Sequence, residues 1–68
     1  MEQNPKPKSI TVLGVFKDNK ITNSETGEVI NCITYGRVRK EIEGKLAYLH
    51  LLLNVYGDYY ISSYILVD

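Results

Sequence analysis

The residues best equipped for chemistry in this chain lie close together. Tyr35-Gly36-Arg37-Val38-Arg39-Lys40, extended by Lys45 and Tyr48, puts four cations, two acids and two aromatic rings into 14 residues. Proteins that hold single-stranded nucleic acid combine cations that track the phosphates with aromatic faces on which bases stack, each stack worth about 1–3 kcal/mol. In an extended strand Tyr35, Arg37, Arg39 and Glu41 would share one face, setting a stacking ring beside two guanidinium groups. Lys20, in a polar stretch upstream, and Tyr48 would support it. The competing reading of the same residues is a solvated amphipathic surface whose arginines pair with Glu41 and Glu43.

Other chemistries find little to work with. Nucleophilic catalysis of the triad kind needs a base beside the nucleophile, and His50 is the one imidazole of the chain, set among leucines. Cys32 and His50 could meet across a sheet, yet each also suits a packed position. The carboxylates are scattered, mostly beside Lys or Arg, and glycines 14, 27, 36, 44 and 57 never fall into a phosphate-cradling pattern. One Cys and one His cannot supply a structural zinc site, so neither a metal nor a cofactor is expected. The expectation is a non-enzymatic binding protein.

Charge narrows where a ligand could sit. Eight Lys and Arg balance eight Asp and Glu, but all eight cations fall within residues 1–45 beside six acids, and 46–68 holds Asp58 and Asp68 alone. An anion-binding face must therefore come from the first two-thirds of the chain. Six tyrosines and no Trp suit surfaces that are apolar on one side and wet on the other. Without an apolar stretch of about 20 residues or an apolar run near Met1, no membrane association is expected, and the single Cys fits the reducing cytoplasm.

These residues need elements to position them. At 68 residues the chain holds one small domain, placed at 9–68 behind a flexible tail at 1–8 that carries Pro5, Lys6, Pro7 and Lys8. Ile10–Phe16 reads as a strand apolar on both faces, with Gly14 marking a bulge or sharp bend. Residues 17–28 are polar, hold the turn signals Asp18-Asn19 and Thr26-Gly27, and read as a hairpin loop or wing. Val29–Tyr35 alternates as a second strand, and Tyr59–Val67 as a last one.

Two periods compete over 37–56. As a helix, Val38, Ile42, Leu46, Leu49, Leu53 and Tyr56 form one stripe stopped by Gly57. As strands, Tyr35–Ile42 and Leu46–Tyr56 flank a turn at Gly44, where glycine is favoured rather than costing about 1 kcal/mol mid-helix. The 24 residues that are Val, Ile, Thr, Tyr or Phe favour an all-β fold. The alternative is an α+β, ββαβ arrangement with a helix at 38–56.

Taken together, the first strand, the polar wing, the alternating strand closing on Tyr35, the hairpin at Glu43-Gly44-Lys45 and the Ile- and Leu-bearing last strand resemble the small single-stranded-DNA-binding proteins of filamentous phages. The resemblance implies a small five-stranded OB-like barrel, a homodimer, and a DNA site drawing on Lys20, Tyr35, Arg37 and Arg39, to which the reading of the residues themselves adds Lys40 and Tyr48. The chain departs from that family in its balanced charge. The alternative function is a small phage or mobile-element module that binds a host protein and inhibits or adapts it. A homodimer is expected on independent grounds too, since no disulfide or metal supplements so small a core.

Overall fold

Backbone pairing, more than intrinsic preference, decides the architecture. A computed structural model describes residues 6–67. Of the segment read as a tail, 1–5 lie outside the described residues, as does Asp68 at the other end, while 6–8 run along the sheet: Lys8 C=O accepts from Leu53 N–H and Pro7 C=O from the Tyr59 hydroxyl. The elements in chain order are β1 (Ser9–Lys17), β2 (Lys20–Asn23), β3 (Val29–Ile33), α1 (Gly36–Ile42), β4 (Leu46–Leu53) and β5 (Tyr59–Leu66). The five strands close into a ring in the order β1-β2-β3-β5-β4, antiparallel throughout except for a two-residue parallel pairing of β3 with β5. The protein is thus a small, mostly β fold.

β1 is the shared wall. Its first half pairs with β4 and its second half with both β4 and β2. Val12, Gly14 and Phe16 point inward, as alternation requires. Gly14 does not mark a bulge: a Cβ there would lie 2.3 Å from the Thr22 carbonyl oxygen, so glycine lets β1 and β2 approach closely. The register irregularity falls instead between His50 and Leu51 of β4, opposite Ser62.

The polar wing conceals a strand. Asp18 and Asn19 take φ of 53° and 62°, the left-handed conformation that Asp and Asn tolerate and that a two-residue hairpin turn needs. β2 follows, and its one apolar residue, Ile21, is fully buried. Asn23 closes the next turn, its Oδ1 accepting from Glu25 and Thr26 N–H.

Residues 37–56 follow the strand pattern in their second half, with the turn at Gly44 and a strand from Leu46, but not in their first. The expected strand Tyr35–Ile42 is helix, because Val38 and Ile42, four residues apart, fold onto the end of the ring while Arg39 and Glu43 pair on the outside at 3.5 Å. The alternative helix over 38–56 ends after Ile42, because Gly44 adopts φ 79° and Leu46–Leu53 then becomes the central strand between β1 and β5. Hydrogen bonding on both edges outweighs the helix preference of leucine. Ala47, Leu49 and Leu51 face inward and are fully buried, joining Phe16, Ile21, Ile42 and Ile61 in one core. Removing a side chain of Leu49's size from such a site costs about 2–5 kcal/mol.

Candidate functional site

The helix disperses the expected Tyr and Arg face. Tyr35 stands at the N-cap of α1, 72% exposed, with no side-chain capping bond. Residues two apart on a helix point roughly opposite ways, so Arg37, Arg39 and Glu41 no longer line up as they would in a strand. Arg37 and Lys40 are exposed. Arg39 is engaged, with its guanidinium 5.8 Å from the centre of the Phe16 ring and its Nε on Glu43.

Lys20 opens β2 opposite Lys17 and Asn31. The last turn of α1 reaches the same end of the ring, since Gly44 N–H donates to Phe16 C=O and Glu43 Oε2 approaches Asp18 N–H. Lys20 and α1 therefore share an end, among Asp18 and Glu43. Tyr48 does not join them. It points outward from the middle of β4, half exposed, between Leu13 of β1 and Ile65 of β5. Cys32 and His50 are likewise separated: Cys32 faces the core from β3, whereas His50 Nδ1 lies 3.1 Å from Thr11 Oγ1 on the outward side. Burial pushes the Cys32 thiol up to about 11.

A shallow groove of about 230 Å³ runs over the seam where β3 meets β5, with Lys20, Asn31 and Ile33 along one side and Asp58 on the other. Each end of that seam carries an exposed ring. β3 leads out of it to Tyr35, and β5 is led into it by the loop 54–58, which presents Tyr56 at 86% exposure beside Val55 at 92%. The loop is built to hold that position: Asn54 Oδ1 accepts from Tyr56 and Asp58 N–H, and Asn54 N–H donates to Asp58 C=O. Lys6 Nζ donates to Gly57 C=O at 3.1 Å and sits 5.9 Å from the Tyr59 ring centre, bringing another cation to this edge.

Tyr56 escapes sequence reasoning because no cation accompanies it in the chain. A signal exists in Asn54-Val55-Tyr56-Gly57-Asp58, where turn-forming residues bracket two apolar ones and so lift them away from the core. Among the described residues no cluster of His, Cys, Asp or Glu has the makings of a metal site, and no helix is long and apolar enough to cross a membrane. Comparison with protein-family models, with curated proteins and with solved structures finds no match to this chain.

Proposed function

We propose that this chain is a non-enzymatic protein that binds single-stranded nucleic acid weakly and without strong sequence preference, along the β3–β5 seam. The observation that carries the reading is the pair of exposed rings, Tyr35 two residues past the β3 side of the β3–β5 pairing and Tyr56 three residues before its β5 side, with Lys20 lining the groove over that pairing. Leaving two tyrosines in solvent brings a solitary domain no stability, whereas each offers a stacked base about 1–3 kcal/mol. Lys20 meets phosphate on the groove, and Arg37 and Lys40 do so beyond Tyr35.

The strand order supports an OB-like reading of the ring. Five strands running β1-β2-β3-β5-β4 suit the partly open Greek-key barrel whose β2–β3 face, with the loops after β1 and β4, takes oligonucleotides. The turn at Asp18-Asn19 and the loop 54–58 are those two loops, and both border the groove. Asp18 and Asp58 among the cations, and a formal net charge of zero, keep the attraction modest.

Fluorescence anisotropy with a labelled oligothymidylate, longer than the ~16 nucleotides one such site can cover, tests the proposal. Binding is expected at about 50 mM salt and should weaken as salt rises, with a log–log slope near −2 for about three phosphates neutralised. Tyr56→Ala should lose about 1–3 kcal/mol and leave that slope unchanged, because stacking releases no counterions. Absence of binding at low salt would sink the nucleic-acid reading. A protein-binding module is the second reading, favoured by Val55 standing in solvent beside Tyr56, since an aliphatic side chain has no stacking role. If Val55→Ser weakens oligonucleotide binding less than Tyr56→Ala does, the first reading gains over the second.

A further inference from the structure

We propose that the free edge of β3 at Val29–Asn31 takes up the C-terminus of a partner protein as an added parallel strand. One edge of β3 is held by β2. On the other, β5 pairs with Cys32 and Ile33 alone, because it begins at Tyr59 and residues 54–58 turn back towards β4, with Asn54 N–H donating to Asp58 C=O. No strand of the ring lies beside Val29, Ile30 and Asn31 there, and Val29 is 55% exposed.

The backbone groups on that edge specify what fits it. Cys32 N–H donates to Asn19 C=O and Glu28 C=O accepts from Asn23 N–H, so residues 28, 30 and 32 bond towards β2 while Val29 and Asn31 point the other way. In the parallel pairing Tyr59, opposite Cys32, takes Asn31 C=O and Ile33 N–H. Val29 N–H, Val29 C=O and Asn31 N–H are left over, and among the described residues no turn or cap bond takes them up. A residue placed opposite Ile30 would donate its N–H to Val29 C=O and accept from Asn31 N–H. The occupant is therefore extended main chain.

A groove of about 400 Å³ runs along this edge, with Pro7 and Ile10 as its far wall. The residue opposite Ile30 turns its side chain the same way as Ile30, to where Ile10 and Ile30 pack on the core beside the buried Tyr59 ring. That side chain is apolar.

Direction and chain end follow from Tyr59 and from charge. Tyr59 lies two positions further along the same line, so an added strand parallel to β3 has to stop at the residue opposite Ile30. Lys6 stands at that end, its ammonium on Gly57 C=O and 5.9 Å from the Tyr59 ring centre, and Glu28 stands at the other. The cation suits a terminal carboxylate that accepts from Asn31 N–H, and Glu28 suits a Lys or Arg two residues earlier in the partner. An antiparallel strand would set its carboxylate against Glu28 instead. Asp58 borders the neighbouring groove and not this one, and the site does not rest on the nucleic-acid reading, whose Lys20 also lies on that other groove.

Amide NMR of the isotope-labelled full chain, titrated to low millimolar with the peptide acetyl-Thr-Lys-Val-Leu bearing a free carboxylate, is the test. The Val29 and Asn31 amides should shift and saturate while those of α1 and Tyr48 stay in place. Capping the carboxylate as an amide, methylating the leucine nitrogen, or Lys6→Met should each weaken binding about tenfold, the loss of one charged or backbone hydrogen bond. Lys6 is exposed, so its replacement should leave the far-UV circular dichroism spectrum unchanged. Equal affinity for the amide or for the N-methyl peptide, shifts centred on the outward face of β4, or no shift at all would each overturn the proposal.

Discussion

The rows in which β1 and β4 pair, Ser9–Val15 of β1, continue onto β5 without a charged side chain on their outward side, whereas the β2 and α1 side holds Lys20, Arg37, Arg39 and Lys40 interleaved with Asp18, Glu41 and Glu43. One core serves both walls, so the contrast does not arise from packing. It follows from the chain itself, where every cation precedes residue 46 and two neighbouring strands are built from what comes after. A segregation along the sequence becomes a segregation in space because β4 and β5 are hairpin partners and stay adjacent. The lesson is that a zero net charge describes neither face. Salt should weaken contacts made by the first side and leave those of the second nearly untouched.

The sharpest way to break the comparison lies within β4, where adjacent residues face opposite ways. Leu51 is fully buried and Leu52 is turned outward beside Tyr60. Leu51→Lys forces an unpaired charge into the core and should leave the chain unfolded at room temperature, a loss of more than about 4 kcal/mol. Leu52→Lys should move the urea midpoint little, since the ammonium reaches water. Equal damage from both would mean that the β1–β4–β5 face is not an outer face at all.

A smaller effect is expected where the two walls join. Gly14 belongs to the ladders with β2 and with β4, and the Thr22 carbonyl leaves no space for a methyl group. Gly14→Ala should cost about 3 kcal/mol in chemical denaturation by prising β2 from β1. A loss below about 1 kcal/mol would show that the strands can part without penalty.

The smallest effect concerns the seam itself. Because burial holds the Cys32 thiol protonated up to about 11 while the ordinary thiol ionises near 9, the folded state keeps its proton where the unfolded chain releases it. This contribution is fully present below pH 9 and is lost as pH rises from 9 towards 11, by somewhat under about 3 kcal/mol at most. Comparing the alkaline arm of stability for the unaltered chain and Cys32→Ala isolates it from the tyrosines and lysines that also titrate there. Identical arms would place the thiol in contact with water.

Much of the framework was legible in the chain. β1 and β5 follow from β-branched alternation, both turns of the wing from Asp18-Asn19 and Thr26-Gly27, and the inward set Ala47, Leu49 and Leu51 from period-two alternation once Gly44 is read as a turn. β2 was not, because a four-residue strand with one apolar side chain has no pattern of its own and exists through bonds to β1 and β3 on either edge. The candidate site was legible only in part. Lys20 lines the groove and Tyr35 follows the β3 strand that borders it, while Tyr48 belongs to the β1–β4–β5 wall and Tyr56 arrives from a loop 21 residues further along than Tyr35.

By itself the sequence determined composition-level facts: a β-rich chain with one Cys and one His, and cations confined to its first two-thirds. It also determined which residues of each strand share a face, since strand periodicity is a local property of the backbone. Tertiary structure alone decided which strands are neighbours, and hence which faces merge. It turned Gly36–Ile42 into a helix because Val38 and Ile42 could reach the core that way, a gain no local pattern records. Ring closure between β3 and β5 then set Tyr35 just past one side of a shared seam and Tyr56 just before the other. That pairing joins residues 32–33 to 59–60, and contacts across such separations are set by the global packing free energy rather than by any single stretch of chain.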